Sequence, residues 1–465
     1  MTTNDIGTGI HRIIVHDKGV FDMTKKKQYA IVGSGHRGTE FWGKALTSQG
    51  EKFNAELVAL VEPNSLRLQQ AQTLMGSHVP AFSDLSGLFG AKHVDGLIIT
   101  SPDWTHDKYI LEGLDANVDV ISEKPLTIDS VKLQNIITAV NKTEGHLRVS
   151  FNYRYAPYAT QIRQFLASGD LGEVTSVNFQ WFLDTIHGAD YFRRWHRRKH
   201  SSGSLFVHKA SHHFDLLNWW LGMTPQRVFA HGTQRIFGPG KSPFQGVRCL
   251  ACAFHAECPF SFDIRTNRTL DMLYRWSESV DGYYRDGCVF APDVDIWDTM
   301  TALIRYDHDI LVNYTLTAGS PFEGYRVVFN GTQGRLECGI SEASVPNPLR
   351  NFANRSAARV PIRPHDLGRS VTPEEDDIIR FYPLFGGVKE IRVPRHLEGH
   401  GGGDRRMMED IFGVTAAGPL GHRAGVKSGA LSALVGIAAR MSAEQRREIV
   451  LDDLVPQKIL TELPD

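Results

Sequence analysis

The spacing of hydrophobic residues divides the chain into two parts. Up to about residue 155, short continuous apolar runs such as 29–32 alternate with helical patterns, which is typical of parallel strands covered by helices on both faces. Beyond residue 156, runs such as "TSVNFQWFLD" alternate apolar and polar residues one by one, as antiparallel strands with one buried face do. The pattern predicts an α/β domain over residues 28–155, followed by an α+β domain over residues 156–465 with an open, mostly antiparallel sheet.

Further segments of the second part predict definite elements. Strands are expected at "RVFAHGTQRIF", "ECPFSFDIR", "MTALIRYDHDILVNYTLTA", "YRVVFNGTQGRLECGI" and "EIRVPR", and "RAGVKSGALSALVGIAARMSAEQRREIVLDDL" predicts an amphipathic helix. Residues 341–385 are rich in Pro, Arg and Asp and predict a long loop or insertion. Residues 1–27 predict a short extension before the first domain, without the apolar core of a signal peptide.

A glycine-rich turn follows the first apolar run. Gly33, Gly35 and Gly38 complete the pattern G-x-G-x-x-G between a strand and a helix, and His36 and Arg37 lie in the same turn. The first glycine permits the tight turn, the second lets the backbone approach a pyrophosphate, and the third lets the helix pack on the strand. This predicts a dinucleotide-binding Rossmann domain, against the alternative of a glycine turn in another α/β fold.

Other polar residues lie at the predicted carboxyl ends of the parallel strands, where ligands of such sheets bind. Glu62 ends the second strand and is expected to accept hydrogen bonds from the adenosine ribose hydroxyls, which favours NAD over NADP as the cofactor. The remaining strand ends supply the candidate cofactor contacts Ser101, Pro102, Asp103, His106, Glu123, Lys124, Asn152 and Arg154.

Four motifs together resemble those of the Gfo/Idh/MocA family of NAD(P)-dependent sugar oxidoreductases. They are "GSGHRG", "SPDWTHDKYILEGLDAN", "SEKPL" and "FNYRY", and the likeness extends from Gln28 over nearly the whole chain. It implies that Lys124 reaches the substrate hydroxyl beside the nicotinamide, where a cation orients the hydroxyl and stabilises a developing alkoxide. The alternative is a surface lysine that happens to precede a proline. The resemblance also implies that the outer face of the second sheet forms the interface of a homodimer or homotetramer.

The segment "VHKASHHFDLLNWWLG" carries three histidines and a lysine at the start of a predicted helix. His212 takes the place of the family's histidine, whereas His208 stands where the family usually has an aspartate, and Lys209 and His213 also depart from its pattern. Three interpretations are open: histidines hydrogen-bonded to backbone, a metal site on the i, i+4 pair His208 and His212, or proton transfer at a sugar. We favour proton transfer because the pKa of histidine suits a base near neutral pH. Lys124 and His212 are then the catalytic pair, with Lys209 or His208 assisting.

The candidate substrate contacts lie in three further places. The basic segment "YFRRWHRRKHSSG" leads into the histidine helix, so Arg194, Trp195 and His196 are expected in the pocket, where an arginine would bind a carboxylate, phosphate or sulfonate. A solvated charged loop is the alternative. The set is completed by His213, Tyr325 and His400. For Tyr325 the alternative is a packing role within the sheet, and for His400 it is a position in a flexible turn.

Composition narrows the class of protein further. The formal net charge is −1 over 465 residues, so no overall field favours nucleic acid or an anionic membrane, and no apolar run is long enough to span a bilayer. Five cysteines are too few for a disulfide framework, which predicts a reducing, cytoplasmic location. Cys249, Cys252, His255 and Cys258 have a spacing that allows a metal site, but no second pair follows, so packed free thiols are favoured and no metal is expected.

Together these features predict an NAD-dependent oxidoreductase that transfers hydride between a ring hydroxyl or ketone carbon of a sugar and the nicotinamide. An alternative implied by the same family is a redox-neutral, NAD-dependent glycoside hydrolase, which oxidises the sugar transiently, eliminates the aglycone and reduces the product again, on an anionic glycoside. The additional His208 and Lys209 would suit the elimination step. A non-catalytic NAD-binding regulator is the third alternative, and it would leave Lys124 and His212 without a role.

Overall fold

The computed structural model describes residues 26–343, 376–396, 399–415 and 418–465. Nearly all of the predicted N-terminal extension, and residues 344–375 of the predicted long loop, therefore lie outside the described residues. The rest forms two domains that meet along one cleft.

The first domain has the parallel α/β fold that the sequence predicts. Its strands are β1 Lys27–Val32, β2 Ala55–Val61, β3 Ala81–Phe82, β4 Gly96–Ile99, β5 Asp119–Ser122 and β6 Leu147–Val149. Its helices are α1 Lys44–Phe53, preceded by a π-helical stretch over Arg37–Gly43, α2 Ser65–Met75, α3 Leu85–Ala91, α4 His106–Asp115 and α5 Ser130–Val140. Alternate residues of β1 pack into two separate cores, Ala30 and Val32 on one face and Tyr29 and Ile31 on the other. Burial on both faces explains the continuous apolar runs.

The strands of this sheet lie in the order β3-β2-β1-β4-β5-β6. The order reverses between β1 and β4, so the loops that follow these two strands diverge to opposite faces and open a crevice at their carboxyl ends. The glycine turn follows β1, and short 3₁₀ turns over Asp103–Thr105 and Asn152–Tyr155 follow β4 and β6. The candidate residues thus share one edge of the sheet.

The second domain is an open nine-stranded sheet covered on its inner face. Its strands are β7 Val174–Asp184, β8 Pro225–Thr233, β9 Thr299–Tyr306, β10 Leu311–Ser320, β11 Glu323–Gly331, β12 Gly334–Ala343, β13 Asp377–Pro383, β14 Lys389–Val393 and β15 Ile449–Val450. They lie in the order β14-β13-β12-β11-β7-β10-β9-β8-β15. Only β7 and β10 run parallel to each other. The predicted open, mostly antiparallel sheet is confirmed.

The helices of this domain carry the histidine segment and the closing helix. They are α6 Pro157–Ser168, α7 Thr185–Arg193, α8 Lys199–Ser202, α9 Leu205–His208, α10 Ala210–Leu221, α11 Arg268–Leu273, α12 Glu278–Asp281, α13 Gly403–Ile411, α14 Val426–Gln445 and α15 Gln457–Glu462. Every residue of α10 is buried. The sequence predicts α14 to be amphipathic, but most of its residues are buried because it lies between β8, α10 and the first domain.

Two predicted elements are wrong. The segment "ECPFSFDIR" is not a strand but a series of turns that ends in a 3₁₀ turn at Ile264–Thr266, because it belongs to a connection that leaves the sheet. The predicted loop over 341–385 contains β13, whose Ile379 and Phe381 are buried and whose backbone pairs with β12 and β14. The apolar alternation of "DIIRFYP" is a strand signal that the neighbouring charges outweighed in the prediction.

Two of the contacts between the domains bear on the cavity and on the sheet edge. Residues 234–298, here called the insert, connect the adjacent antiparallel strands β8 and β9 and reach back to the first domain. At the opposite edge of the first sheet, Val149 N donates to Ala424 O at 2.9 Å, and Arg148 forms an isolated bridge with Gly425. Residues 424–425 thereby cover the free edge of β6, although they follow it in the sequence by more than half the length of the chain.

Candidate active site

A cavity of about 1240 Å³ lies in the cleft between the domains. Nineteen of the predicted residues line it: Gly33, Gly35, His36, Arg37, Glu62, Ser101, Pro102, Asp103, His106, Glu123, Lys124, Asn152, Arg194, Trp195, His196, His208, Lys209, His212 and His400. The structure therefore brings together both the cofactor set and the catalytic set that the sequence predicts. Gly38, Arg154, His213 and Tyr325 lie outside the lining.

The glycine turn has the geometry of a dinucleotide cradle. Gly33 has φ +96°, and a Cβ there would meet Ser101 N at 2.7 Å. A Cβ on Gly38 would meet Gly33 O at 2.2 Å, so Gly38 serves the close contact of turn and helix although it does not face the cavity. A Cβ on Gly35 would meet only the hydroxyl of Tyr274, at 3.2 Å. Gly35 thus keeps open the space that a pyrophosphate would occupy, and the residues present fit a dinucleotide.

Glu62 lies beside this turn and is held by main-chain and side-chain donors. Its Oε2 accepts from Ser34 N at 2.9 Å and its Oε1 from Asn64 N at 3.0 Å, while Arg67 Nη1 lies 3.3 Å from Oε1. An ionised carboxylate has about four acceptor positions, so one is left for a ribose hydroxyl. Arg67 carries no sequence motif and reaches Glu62 only because α2 begins next to the end of β2.

A network of polar side chains closes the floor of the cavity. Glu123 Oε1 accepts from Arg37 Nε at 2.6 Å and from Trp42 Nε1 at 2.9 Å. Asp404 lies in the first turn of α13, and its carboxylate contacts Asn152 Nδ2 at 2.7 Å and His400 Nδ1 at 2.8 Å. Burial opposes ionisation of Asp404, yet His400 and Arg37 hold its pKa below the ordinary value.

Lys124 stands directly after β5 with its ammonium group in the cavity. Lys124 Nζ donates to His208 O at 3.1 Å and lies 3.5 Å from His208 Nε2. Burial lowers the pKa of Lys124 to about 8, although the attraction of Asp103 acts in the opposite direction. The structure therefore contradicts the alternative that Lys124 is a surface lysine.

His208 and Asp103 form a pair that the sequence did not predict. Asp103 Oδ2 lies 2.6 Å from His208 Nδ1. An ionised carboxylate at this distance assigns the imidazole proton to Nδ1 and leaves Nε2 as an acceptor facing Lys124, although burial raises the pKa of Asp103 well above its ordinary value. Burial, with the charge of Lys124, lowers the pKa of His208 well below its ordinary value. Asp103, predicted as a cofactor contact because it follows β4, lines the cavity, and its carboxylate pairs with the histidine.

The same pair belongs to a group of potential metal ligands. Within the described ranges, Asp103, His196 and His208 are the one set of three His, Cys, Asp or Glu side chains whose ligand atoms all lie within 4.8 Å of one another. Both ring nitrogens of His208 already face partners, Asp103 and the ammonium of Lys124. This arrangement favours an acid–base pair over a metal site. The set of three ligands also differs from the pair His208 and His212 that the sequence suggested as metal ligands.

His212 and Lys209 lie on the neighbouring wall. The ring of His212 packs edge-on against Tyr153, with ring centroids 4.9 Å apart, and no described residue bonds to its Nδ1. Burial, with Lys124 and Lys209, lowers the pKa of His212 well below its ordinary value, so the imidazole is neutral at pH 7. Lys209 Nζ stands 4.9 Å from the centre of the Trp181 ring.

The segment between α7 and α9 forms a positively charged wall. Asp190 contacts Arg285 Nη1 at 2.7 Å and Arg194 Nε at 3.1 Å, and Asp293 contacts both Arg197 and Arg198. Four guanidinium groups therefore face two carboxylates. The segment is largely helical, and Arg194, Trp195 and His196 line the cavity as predicted, so the alternative of a solvated loop does not hold.

Three residues that were predicted to contact ligands lie in the protein interior, outside the cavity. His213 lies on the far side of α10 from the cavity, with Nδ1 2.7 Å from the Tyr314 hydroxyl and its ring stacked on Trp181 at 3.9 Å. Tyr325 stacks on the same tryptophan at 5.0 Å within the sheet core. Arg154 is buried in a two-pronged pair with Asp215, at 2.6 and 2.8 Å.

The cysteine segment lies apart from the cleft, in the insert. Cys249, Cys252, His255, Cys258 and Cys288 line a small cavity of about 10 Å³. Cys249 Sγ accepts from Arg193 Nη1 at 3.2 Å, and burial raises the pKa of the Cys249 and Cys258 thiols. No three of these five side chains bring their ligand atoms within 4.8 Å of one another, which favours packed thiols. In the parts of the chain that the structure describes, no helix is both long and apolar enough to cross a membrane.

The glycine cradle, the acidic residue after β2 and the half-buried lysine after β5 define an NAD-binding oxidoreductase. Residues 27–151 match the model of an oxidoreductase family described as "NAD-binding Rossmann fold", and residues 163–451 match its "C-terminal alpha/beta domain". The chain belongs to this family, Gfo/Idh/MocA, as its motifs predict.

Individual relatives agree with this assignment. The chain is 35% identical over 393 residues to YteT of Bacillus subtilis (strain 168), named as an oxidoreductase, covering 81% of this chain and 86% of that protein. It is 25% identical over 203 residues to the inositol 2-dehydrogenase of Rhizobium meliloti (strain 1021), covering 44% of this chain and 57% of the relative. Among solved structures, the WlbA dehydrogenase of Bordetella pertussis, in complex with NADH and UDP-GlcNAcA, has a TM-score of 0.59 at 18% identity, over 92% of this chain and 99% of that one. This last likeness shows the fold alone.

Proposed function

We propose that the protein is an NAD-dependent oxidoreductase that transfers hydride between a sugar carbon and the nicotinamide. The observation that carries the proposal is the half-buried ammonium group of Lys124, placed at the carboxyl end of β5 in a cavity that also holds the dinucleotide cradle. Relatives named inositol 2-dehydrogenase, and a structural neighbour bound to UDP-GlcNAcA, support a carbohydrate as the substrate.

The chain's own residues account for the proton. Bound NAD supplies the acceptor for the hydride. Lys124 donates a hydrogen bond to the substrate oxygen and stabilises the negative charge that develops on it. With a pKa of about 8, the amine also takes the hydroxyl proton, and Asp103 keeps the neutral imidazole of His208 turned towards it. His212, neutral and on the next wall, is placed to accept from a neighbouring hydroxyl.

A second candidate function is redox-neutral glycoside hydrolysis. Two neutral imidazoles, His208 and His212, line the same cavity as Lys124, which is one base more than a simple oxidation requires. Oxidation at one ring carbon acidifies the C–H bond on the next carbon. A base removes that proton, and the aglycone leaves the following carbon with its bonding electrons and takes up a proton. Water then adds its hydroxyl to the carbon that the aglycone left, the deprotonated carbon takes back a proton, and the hydride returns to the ketone carbon. The charged wall around Arg194 supports an anionic glycoside as the substrate.

One experiment tests the first function against the second. Neutral and anionic glycosides and free sugars are incubated with the enzyme in D₂O, with NAD far below the substrate concentration and then in excess. A dehydrogenase forms one NADH for each sugar oxidised and stops when NAD is exhausted. Aglycone release beyond the amount of NAD, with deuterium next to the transient ketone, would contradict the dehydrogenase and establish the hydrolase. If neither NADH formation nor aglycone release is observed with any of these compounds, the proposal that the substrate is a sugar is contradicted.

A further inference from the structure

The insert contacts the first domain at the two loops that the dinucleotide needs. Adjacent antiparallel strands such as β8 and β9 require only a tight turn to connect them. Residues 234–298 instead extend to the loops after β1 and β2, which contain the glycine turn and Glu62. These contacts place the insert over the adenosine half of the cradle.

Tyr274 enters the glycine turn itself. Its hydroxyl oxygen accepts from the His36 amide at 2.9 Å and lies opposite the open space at Gly35. A phenol donates as well as accepts, and no described residue accepts the hydrogen of Tyr274. This O–H is therefore available to an oxygen of a pyrophosphate in the turn, beside the backbone amides.

Asp281 fastens the insert to the loop after β2. Its carboxylate pairs with Arg67 and accepts from Asn64 Nδ2 at 2.8 Å. Asn64 Nδ2 also donates to Ser277 O at 3.0 Å, and Arg67 Nε donates to Leu273 O at 3.2 Å. The side chain of Arg67 is only 12% exposed, so these charge-assisted bonds are partly shielded from water and are stronger than surface pairs.

We propose that the insert is a clasp that retains NAD, with Tyr274 as an additional pyrophosphate ligand and Asp281 with Arg67 as its fastening. Release of the dinucleotide then requires the fastening to break and the insert to lift. The cofactor consequently exchanges slowly with the solution, so that release of NADH limits the turnover of a dehydrogenase, whereas a redox-neutral hydrolase regenerates NAD in place and is not limited by it. The inference rests on the NAD-binding half of the proposed function and is independent of the sugar.

The test measures dinucleotide release without any substrate. The full-length protein is loaded with NADH, mixed with excess NAD, and the loss of bound-NADH fluorescence is followed by stopped flow. NADH should remain bound to the wild type through gel filtration. Asp281→Asn, which removes the ionic fastening, and Tyr274→Phe, which removes one oxygen atom, should each release NADH about tenfold faster or more.

Asp263→Asn is the matched control, because Asp263 lies in the same insert and pairs with Arg265 instead of the first domain. It should release NADH at the wild-type rate. Melting temperatures of the nucleotide-free proteins separate loss of the clasp from loss of the fold. Loss of NADH from the wild type during gel filtration, or wild-type release from both variants, would overturn the proposal. An enzyme inactive on every sugar would still show slow release if the clasp is correct.

Discussion

At the scale of single residues, the charge of Lys124 controls the proposed chemistry. Its pKa of about 8 means that the amine is mostly protonated at pH 7 and becomes a base as the pH rises. The kcat/KM for sugar oxidation should therefore increase through about pH 8 and level off above it, whereas that for reduction should decrease over the same range. Lys124→Ala should lower turnover by ~100-fold or more and abolish this profile while NAD still binds. A variant that keeps the profile would show that another group titrates.

Asp103 should act through His208, without touching the substrate. Asp103→Asn is expected to lower kcat by ~100-fold with little change in KM, because the imidazole loses the partner that fixes its tautomer. Asp107→Asn is the control, since Asp107 is on the adjoining helix but pairs with Lys132. If Asp103→Asn raises KM for NAD and leaves kcat unchanged, the original prediction of a cofactor contact is correct.

Glu62 should decide between the two nicotinamide cofactors. Its carboxylate would repel a 2′-phosphate and at present neutralises Arg67. Glu62→Ser should therefore bring NADP affinity up towards that of NAD, because it removes the repulsion and frees Nη1 of Arg67 for a phosphate oxygen while Nη2 stays on Asp281. Titration of both cofactors measures the change. In the double variant Glu62→Ser/Arg67→Ala the gain in NADP affinity should disappear. If the gain persists, a residue other than Arg67 binds the 2′-phosphate.

The site was predictable where backbone position alone determines it. Gly33, Glu62 and Lys124 each follow a parallel strand, and such strand ends must converge in this kind of sheet. The consecutive residues His212 and His213 could not be separated, since which of them faces the cavity depends on how α10 is rotated against the sheet. Tyr274 could not be predicted either, because it comes from an insert whose path no local pattern reveals.

At the scale of elements, the segment from α7 to α9 should determine charge selectivity. Nε of Arg194 contacts Asp190, and no described residue accepts from its two terminal nitrogens. Arg194→Gln should raise KM for an anionic glycoside about tenfold or more and change KM little for a neutral analogue, as expected for loss of a charged hydrogen bond. Arg305→Gln, at an exposed site on β9, serves as the control. Equal effects on both substrates would show that Arg194 has a packing role.

Elements were predicted best where periodicity was uninterrupted. β7 and the β11–β12 hairpin lie where the alternation places them, because each has one buried and one open face. β13 was missed because clustered charges outweigh its alternation, whereas the pattern of "ECPFSFDIR" predicted a strand in a segment that leaves the sheet. The burial of most residues of α14 results from contacts with both domains, which its own pattern does not encode.

At the scale of the whole molecule, the outer face of the large sheet should mediate assembly. Leu303 and Leu311 lie on adjacent strands there and are 58% and 59% exposed. The predicted homodimer or homotetramer should dissociate in Leu303→Lys/Leu311→Lys, because like charges would replace the apolar contact. Light scattering gives the mass. Val131→Lys, equally exposed on α5, should leave it unchanged. A wild type of monomeric mass would contradict the prediction.

The pairing of β6 with residues 424–425 has a consequence for synthesis. The first domain leaves the ribosome long before its covering segment is made, and domains generally fold in that order. During this interval the nascent chain presents an unpaired strand edge, which is a template for association with other chains. We therefore expect the half-made protein to be a client of ribosome-associated chaperones, and residues 26–155 produced alone to aggregate.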